Sequence, residues 1–295
     1  MDISQLTRIF CEIDDFCKEF NNHMEGQLLP SSSGARRGPR CCLSDSEIML
    51  ILIFFQSSGY RNFKTFYVSF LSEYFKTAFP ALPSYNRFIE IMPRVMMQLT
   101  LFSQLRFKKR TGIYYVDSSC LPVSHLKRSK RHKTFKNVAE YGKTSVGWFF
   151  GLKLHLVIND RGELMAFKIT RGNIHDSKVT EDLFKNLNGM AFGDKGYLGK
   201  DLFTRLLRKG LKLITRVRKN MKTKLMSDLE TQLLNQRGII ETVIGHLKHH
   251  FQVWHTRHRS VVNAMTHLAA AIAAYAIQPL TLSAIKLLTS STFLT

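Results

Sequence analysis

Cysteine is scarce in this sequence and does not pair by spacing. The five residues Cys11, Cys17, Cys41, Cys42 and Cys120 are odd in number and form no C-x-x-C. A disulfide framework and a zinc ribbon are thereby excluded, and a reducing cytosol is the natural compartment. Long hydrophobic runs are also missing. The strongest apolar stretches, Ile48–Phe55 and Leu268–Ile277, fall well short of the roughly 20 residues that span a bilayer. Asp2, Glu12, Asp14 and Asp15 near the start carry the wrong charge for a signal peptide, so a soluble cytoplasmic protein is expected. Acidic residues are few: 22 against 43 Lys and Arg leave a net charge of +21, with a pI near 10.0. Positive charge of this size calls for a polyanion, most commonly a phosphate backbone. The low-complexity tails typical of basic ribosomal proteins are absent, as is any amphipathic or lipid-anchored segment for a membrane surface. What is present is 295 residues, 44% of them hydrophobic, enough for one large domain or two ordinary ones.

Three regions separate by pattern. Residues 1 to about 110 predict helices. Ser44-Asp45-Ser46-Glu47 has the form of a capping box before Ile48–Phe55. A break at Ser57-Ser58-Gly59 leads to a helical stretch at Phe63–Phe75, and Ser84 can cap another around Phe88, Ile89 and Met92. Residues 31–40, rich in Ser, Gly and Arg, predict an exposed basic linker. Strands come next. Ile113–Val116 is a short apolar run ending at Asp117, and Val146–Ile158 alternates before the Asn159–Gly162 turn and a return strand at Leu164–Thr170. A helix capped by Asp176, a short strand at Met190–Gly193 ending at Asp194, a helix at Lys200–Arg208 and a strand at Leu211–Thr215 follow. A long helix at about Leu233–Trp254 completes the series. Alternating strands and helices argue an α/β domain with a mixed sheet.

Asp117 and Asp194 thus both sit at expected strand ends, where ligands of α/β sheets gather. Two carboxylates close together repel unless a cation bridges them. A third stands on the long helix. At about 100° per residue, Arg237, Glu241 and Lys248 share a face, roughly 80–100° from the apolar stripe of Ile240, Val243, Leu247 and Phe251. Glu241 therefore flanks the buried stripe and can look into a cleft.

Tyr115-Val116-Asp117-Ser118, Gly193-Asp194-Lys195-Gly196-Tyr197 and Arg237-x-x-Ile240-Glu241-x-x-Ile244-x-x-Leu247-Lys248 resemble the three signature blocks of bacterial insertion-sequence DDE transposases, most closely the insertion-sequence 982 group. The spacing from Arg237 to Glu241 to Lys248 is that of the family's Tyr-Arg-Glu-Lys signature, with Leu234 where the Tyr would fall. Asn173-Ile174-His175-Asp176 resembles a further segment of these enzymes. The resemblance implies an RNase H-like mixed sheet flanked by helices (residues 111–275); helix content and position add an N-terminal all-α domain for DNA binding or dimerisation (1–110) and a C-terminal helical tail (276–295). The resemblance also implies catalytic and metal-binding roles for Asp117, Asp194 and Glu241, two Mg²⁺ ions with Mn²⁺ able to substitute, and phosphate contacts from Arg237 and Lys248. The expected partners are double-stranded DNA, both terminal inverted repeats and target, and a second copy of the chain. The expected place is the bacterial cytoplasm, at the nucleoid. The chemistry suits the residues: in-line displacement at phosphorus needs hard cations, and these take carboxylate oxygens.

The basic run from Lys127 to Lys136 holds six Lys and Arg in ten residues, with no acid. Lys127, Arg128, Lys130, Arg131 and Lys133 are candidates for phosphate contact, as are Arg216, Arg218 and Lys219 in a second basic stretch. His246-x-x-x-His250 has zinc-like spacing but lacks the Glu and a third ligand, so His246, His249, His250, His255 and His258 suit a surface or DNA-facing role better. Ser118, Ser119 and Cys120 lack a recognisable base. A helix-turn-helix around Ser84–Met92 is one expectation for the N-terminal helices, and a plain dimerisation domain is the other. Two rivals remain: an RNase H-like nuclease that cuts without joining, and a non-catalytic DNA-binding regulator derived from a transposase.

Overall fold

Ser44 opens its helix as the capping box predicts: its hydroxyl accepts from the Glu47 amide (3.1 Å) and Glu47 Oε2 accepts from the Ser44 amide (2.7 Å). The computed structural model describes residues 3–25, 42–197, 199–215, 226–254, 258–281 and 283–285. The first helices are α1 (Ile3–Glu25), α2 (Asp45–Ser57) and α3 (Phe63–Thr65), continued by a π-helical turn (Phe66–Leu71) into α4 (Ser72–Tyr74). Next come α5 (Tyr85–Ile91), a 3-10 turn (Met92–Val95) and α6 (Met96–Leu105). The strands and later helices are β1 (Ile113–Ser124), β2 (Glu140–Lys143), β3 (Trp148–Asn159), β4 (Leu164–Arg171), α7 (Asp176–Leu183), β5 (Gly189–Gly193), α8 (Lys200–Arg208), β6 (Leu211–Thr215), α9 (Asp228–Asn235), α10 (Gly238–His249) and α11 (Val261–Ile277). Among the described residues no helix is long and apolar enough to cross a membrane.

Two compact units result. One comprises Met1–Leu105, His250–Gln252 and Ser260–Ala274; the other comprises Arg106–His249, Val253–Arg259 and Tyr275–Thr295. The first is helical and held by aromatic contacts. Phe54, Phe55, Phe63, Phe66 and Phe88 meet within it, the Phe54 and Phe66 rings edge to face at 5.4 Å, a geometry that adds to their burial. Ser84 caps α5, as expected, but the helix passes after seven residues into the 3-10 turn that contains Pro93.

In the second unit the described strands form one six-stranded sheet. β1 lies between β3, antiparallel, and β5, parallel; β5 pairs with β6 in parallel. β4 and β2 both pair antiparallel with β3, β4 along Leu152–Ile158 and β2 along Trp148–Gly151. The order β4-β3-β1-β5-β6 is the RNase H-like mixed sheet that the resemblance implies. One face carries Tyr114, Val116 and Val157 into a core with Val179 and Leu183 of α7 and Leu202 and Leu206 of α8.

Three expectations need correction. β1 does not end at Asp117: it continues to Ser124 because residues 117–124 pair with β3, with an irregularity at Pro122 that accommodates the missing amide. The helix expected over 233–254 is two helices, broken at Gln236-Arg237 ahead of Gly238, a residue that weakens helices. β2 has too little apolar character to be foreseen, and its pairing with β3 alone makes it a strand.

Candidate active site

The sheet's alternation decides where Asp117 points. Cross-strand pairing puts Ser118 beside His155 on one face and Asp117 beside Leu156 on the other. The second face is the one that α10 packs against, and there the Tyr115 hydroxyl reaches Gln236 Oε1 (3.5 Å). Asp117 is therefore a carboxylate inside a sheet face, its side chain only 22% exposed. Its Oδ1 accepts from the Ser118 amide (2.8 Å), and its Oδ2 lies 3.8 Å from Arg237 Nη1. Burial pushes its pKa up to about 6, and the fields of Glu241 and Asp194 push the same way; Arg237 and the Ser118 amide oppose them.

Arg237 stands in the turn between α9 and α10. Its Nη2 donates to Glu241 Oε1 at 2.5 Å, while its buried Nη1 makes no hydrogen bond. One guanidinium thus faces two carboxylates. Glu241 lies in the first turn of α10 and is more exposed than Asp117. Asp194 follows the last residue of β5, is exposed, and accepts at its carbonyl from the Tyr197 amide (3.0 Å). So Asp117 and Glu241 converge on Arg237, and Asp194 is near enough to act electrostatically on Asp117. Among the described residues, however, no three His, Cys, Asp or Glu side chains come close enough together to hold a metal ion. The donors nonetheless suit a hard cation. All are carboxylate oxygens, burial keeps the Asp117 pKa raised in spite of Arg237, and one Arg237 nitrogen has no hydrogen-bond partner.

The other candidates are dispersed. Lys248, in the last turn of α10, sets its Nζ 4.9 Å from the centre of the Trp254 ring. Lys127, Arg128, Lys130 and Arg131 lie exposed on a 3-10 helix (Leu126–Arg131), and Lys133 follows it, also exposed. Arg216, Arg218 and Lys219 lie outside the described residues, as does His255.

The opposite face of the sheet carries a part-buried polar cluster, centred on buried His155, that the sequence pattern does not predict. Lys153 Nζ donates to Asp176 Oδ1 (3.1 Å) and to the Ile174 carbonyl (3.1 Å), and His155 Nδ1 lies 3.6 Å from the same Asp176 oxygen. His155 is fully buried, its Nε2 2.9 Å from Thr170 Oγ1. Burial lowers its pKa to about 4, against the pull of Asp176. The cap of α7 is His175, which accepts from the Ser177 amide, and not Asp176 as the sequence suggests. Asp176 is free for another contact: a Cβ placed on Gly196 would meet its Oδ2 at 3.1 Å. Tyr197 is buried beneath it, its hydroxyl pKa driven well above normal by burial and by Asp176 and Asp117. The turn bearing Asp194 is thus packed against Asp176. The available signal was Lys153 and His155 within an otherwise apolar strand, since buried charges require partners.

A family model described as a transposase DDE domain matches residues 107–261. No curated protein matches the chain. Among solved structures, a chain of the "piggyBac transposase synaptic complex with hairpin DNA", seen by cryo-EM, is similar at a TM-score of 0.47 and 12% identity, over 97% of this chain and 73% of that one. The family match covers more than half of the sequence, and the chain belongs to the DDE-domain transposases.

Proposed function

We propose that this transposase is of the bacterial insertion-sequence 982 group and that Asp117, Asp194 and Glu241 are its catalytic, metal-holding carboxylates. It cuts double-stranded DNA at the terminal inverted repeats of its element and transfers the freed 3′-OH to a target strand. The observation that carries this reading is Arg237 set between Asp117 and Glu241. A part-buried carboxylate whose pKa is raised within a cleft is a mark of functional sites.

Mg²⁺, or Mn²⁺ in its place, would be held by these three residues and would supply activation of the attacking oxygen and neutralisation of the leaving one. The chain's own contribution is positioning. Asp117 is fixed by β1 and the Ser118 amide, Glu241 by α10, and Asp194 by its turn. Arg237, released from the two acids, is placed to take a phosphate oxygen through its planar fork. Lys248 and the 127–133 segment hold the flanking backbone, and Arg216, Arg218 and Lys219 belong to the same proposed DNA path. The domain roles follow: 1–110 for end recognition or dimerisation, 111–275 for chemistry, 276–295 as a tail. A homodimer or larger assembly brings two DNA ends together.

Asp194→Asn tests the assignment. Cleavage of an inverted-repeat duplex in Mg²⁺ should disappear while DNA affinity changes little; undiminished cleavage sinks the assignment. Incubating pre-cleaved ends with plasmid distinguishes joining from cutting alone. A nuclease gives no joined product, and a regulator neither cuts nor joins.

A further inference from the structure

The hairpin formed by β2 and β3 leaves an apolar tip in water. Thr144 and Gly147 close it with reciprocal backbone hydrogen bonds (2.8 and 3.3 Å), and Gly147 takes the positive φ of 148° that the turn demands. Between and beside them Val146 is 97% exposed and Trp148 59% exposed. Exposed singly, such residues mean little; here their surroundings give them meaning. Register pairs Tyr141 with Phe150 and Lys143 with Trp148. These four side chains share one face, running from buried Phe150 outward to Trp148. Lys143 Nζ stands 5.8 Å from the Trp148 ring centre, a cation–π distance.

The basic segment docks on that same face. Ser129 Oγ and the Tyr141 hydroxyl are 2.6 Å apart, and the His132 ring lies 6.4 Å from Phe150. The 3-10 helix with Lys127, Arg128, Lys130 and Arg131 is therefore joined to the ladder that ends in Trp148. From 127 to 143 there are seven Lys and Arg against one acid, Glu140. A flat aromatic beside Lys143, on a face where a basic segment docks, matches a nucleic acid strand: phosphates meet the cations and a base meets the ring. A protein partner would need apolar area without this charge.

We propose that the Lys143–Trp148 tip is a DNA wedge, with Trp148 stacking on an unpaired base at a duplex end while Val146 fills the space beside it. The site recognises a base that has left its stack, and the neighbouring cations hold the phosphates around it. This rests on the DNA-handling reading above and is independent of the carboxylates.

The test is equilibrium binding of the full-length protein in EDTA. One probe is a duplex with a frayed, mismatched end; the other is the same duplex with both ends closed by covalent hairpin caps. Trp148→Ala should weaken binding of the frayed probe about 5- to 100-fold and of the capped probe less than about 2-fold. Trp148→Phe should recover most of the loss. With Trp254, the other tryptophan, changed to Phe, the remaining emission should be quenched by the frayed probe alone. Unchanged binding by Trp148→Ala, or equal loss on both probes, overturns the wedge. So does a shift from dimer to monomer in Trp148→Ala without DNA if both affinities stay intact, because the tip then serves a second copy. If the wild-type chain binds neither probe, the DNA-handling reading itself fails.

Discussion

Asp117 carries a cost that its neighbours make visible. Its folded pKa of about 6 lies above the ordinary carboxylate value of 3.8. Between those values the folded state binds more protons than the unfolded one, so this group's contribution to stability declines as pH rises through the window. The penalty reaches roughly 3 kcal/mol above pH 6 in the absence of cations. Asp117→Asn should therefore raise the stability of the metal-free protein at pH 7.5 by about 1–3 kcal/mol while abolishing cleavage; chemical denaturation in EDTA checks the first half. A loss of stability would mean that Arg237 already compensates the charge. His155 has the opposite sign. Burial depresses its pKa to about 4 from 6.5, so the stability it contributes above pH 6.5 is lost as pH falls toward 4. His155→Gln should flatten the acid limb of the stability profile, leaving the Asp117 trend exposed. Neither shift is written in the local sequence. Both arise because strand pairing places a titratable group on a covered sheet face.

At the scale of elements, the turn after β5 is held by what lies under it. A Cβ on Gly196 would sit tightly at 3.1 Å from Asp176 Oδ2, and Asp176 is itself held by Lys153. Gly196→Ala should push the turn outward, and Asp176→Ala should loosen it. Each should weaken Mn²⁺ binding about 10- to 100-fold, the range of residues that orient metal ligands. The double variant should be little worse than either single one, because the two residues act through the same touching surface. Paramagnetic resonance of free Mn²⁺ gives the affinities, and additive losses would place the two residues in separate roles. The elements themselves differ in how far local pattern reveals them. The capping box at Ser44, the hairpin of β3 and β4 and the strand before Asp194 all rest on short-range patterns. The course of β1 past Asp117, the strand β2 and the break before α10 do not, since partners across the sheet decide the first two. The third reflects a glycine at a boundary that an apolar stripe alone bridges.

For the whole molecule the governing quantity is charge. A surplus of +21 makes association with DNA steeply dependent on salt, and the basic 3-10 helix supplies part of the slope. Changing Lys127, Arg128, Lys130 and Arg131 to Ala should reduce the slope of log K against log salt by roughly 3–4, near 0.9 for each phosphate that is no longer neutralised. Binding measured across a salt series reads this directly, and an unchanged slope would place the segment away from DNA. The sequence by itself determined the net charge that points to a polyanion and the alternation of strands and helices, because composition and periodicity are local properties; its resemblance to the signature blocks singled out three acids. The tertiary structure decided that Asp117 and Glu241 meet at Arg237, that Lys153 and Asp176 join buried His155 in a part-buried cluster, and that Trp148 stands beside Lys143 on a face where the basic 3-10 helix docks. These are matters of which face a side chain takes and what lies across from it. Pairing and packing fix them between residues distant in the chain, where no local pattern reaches.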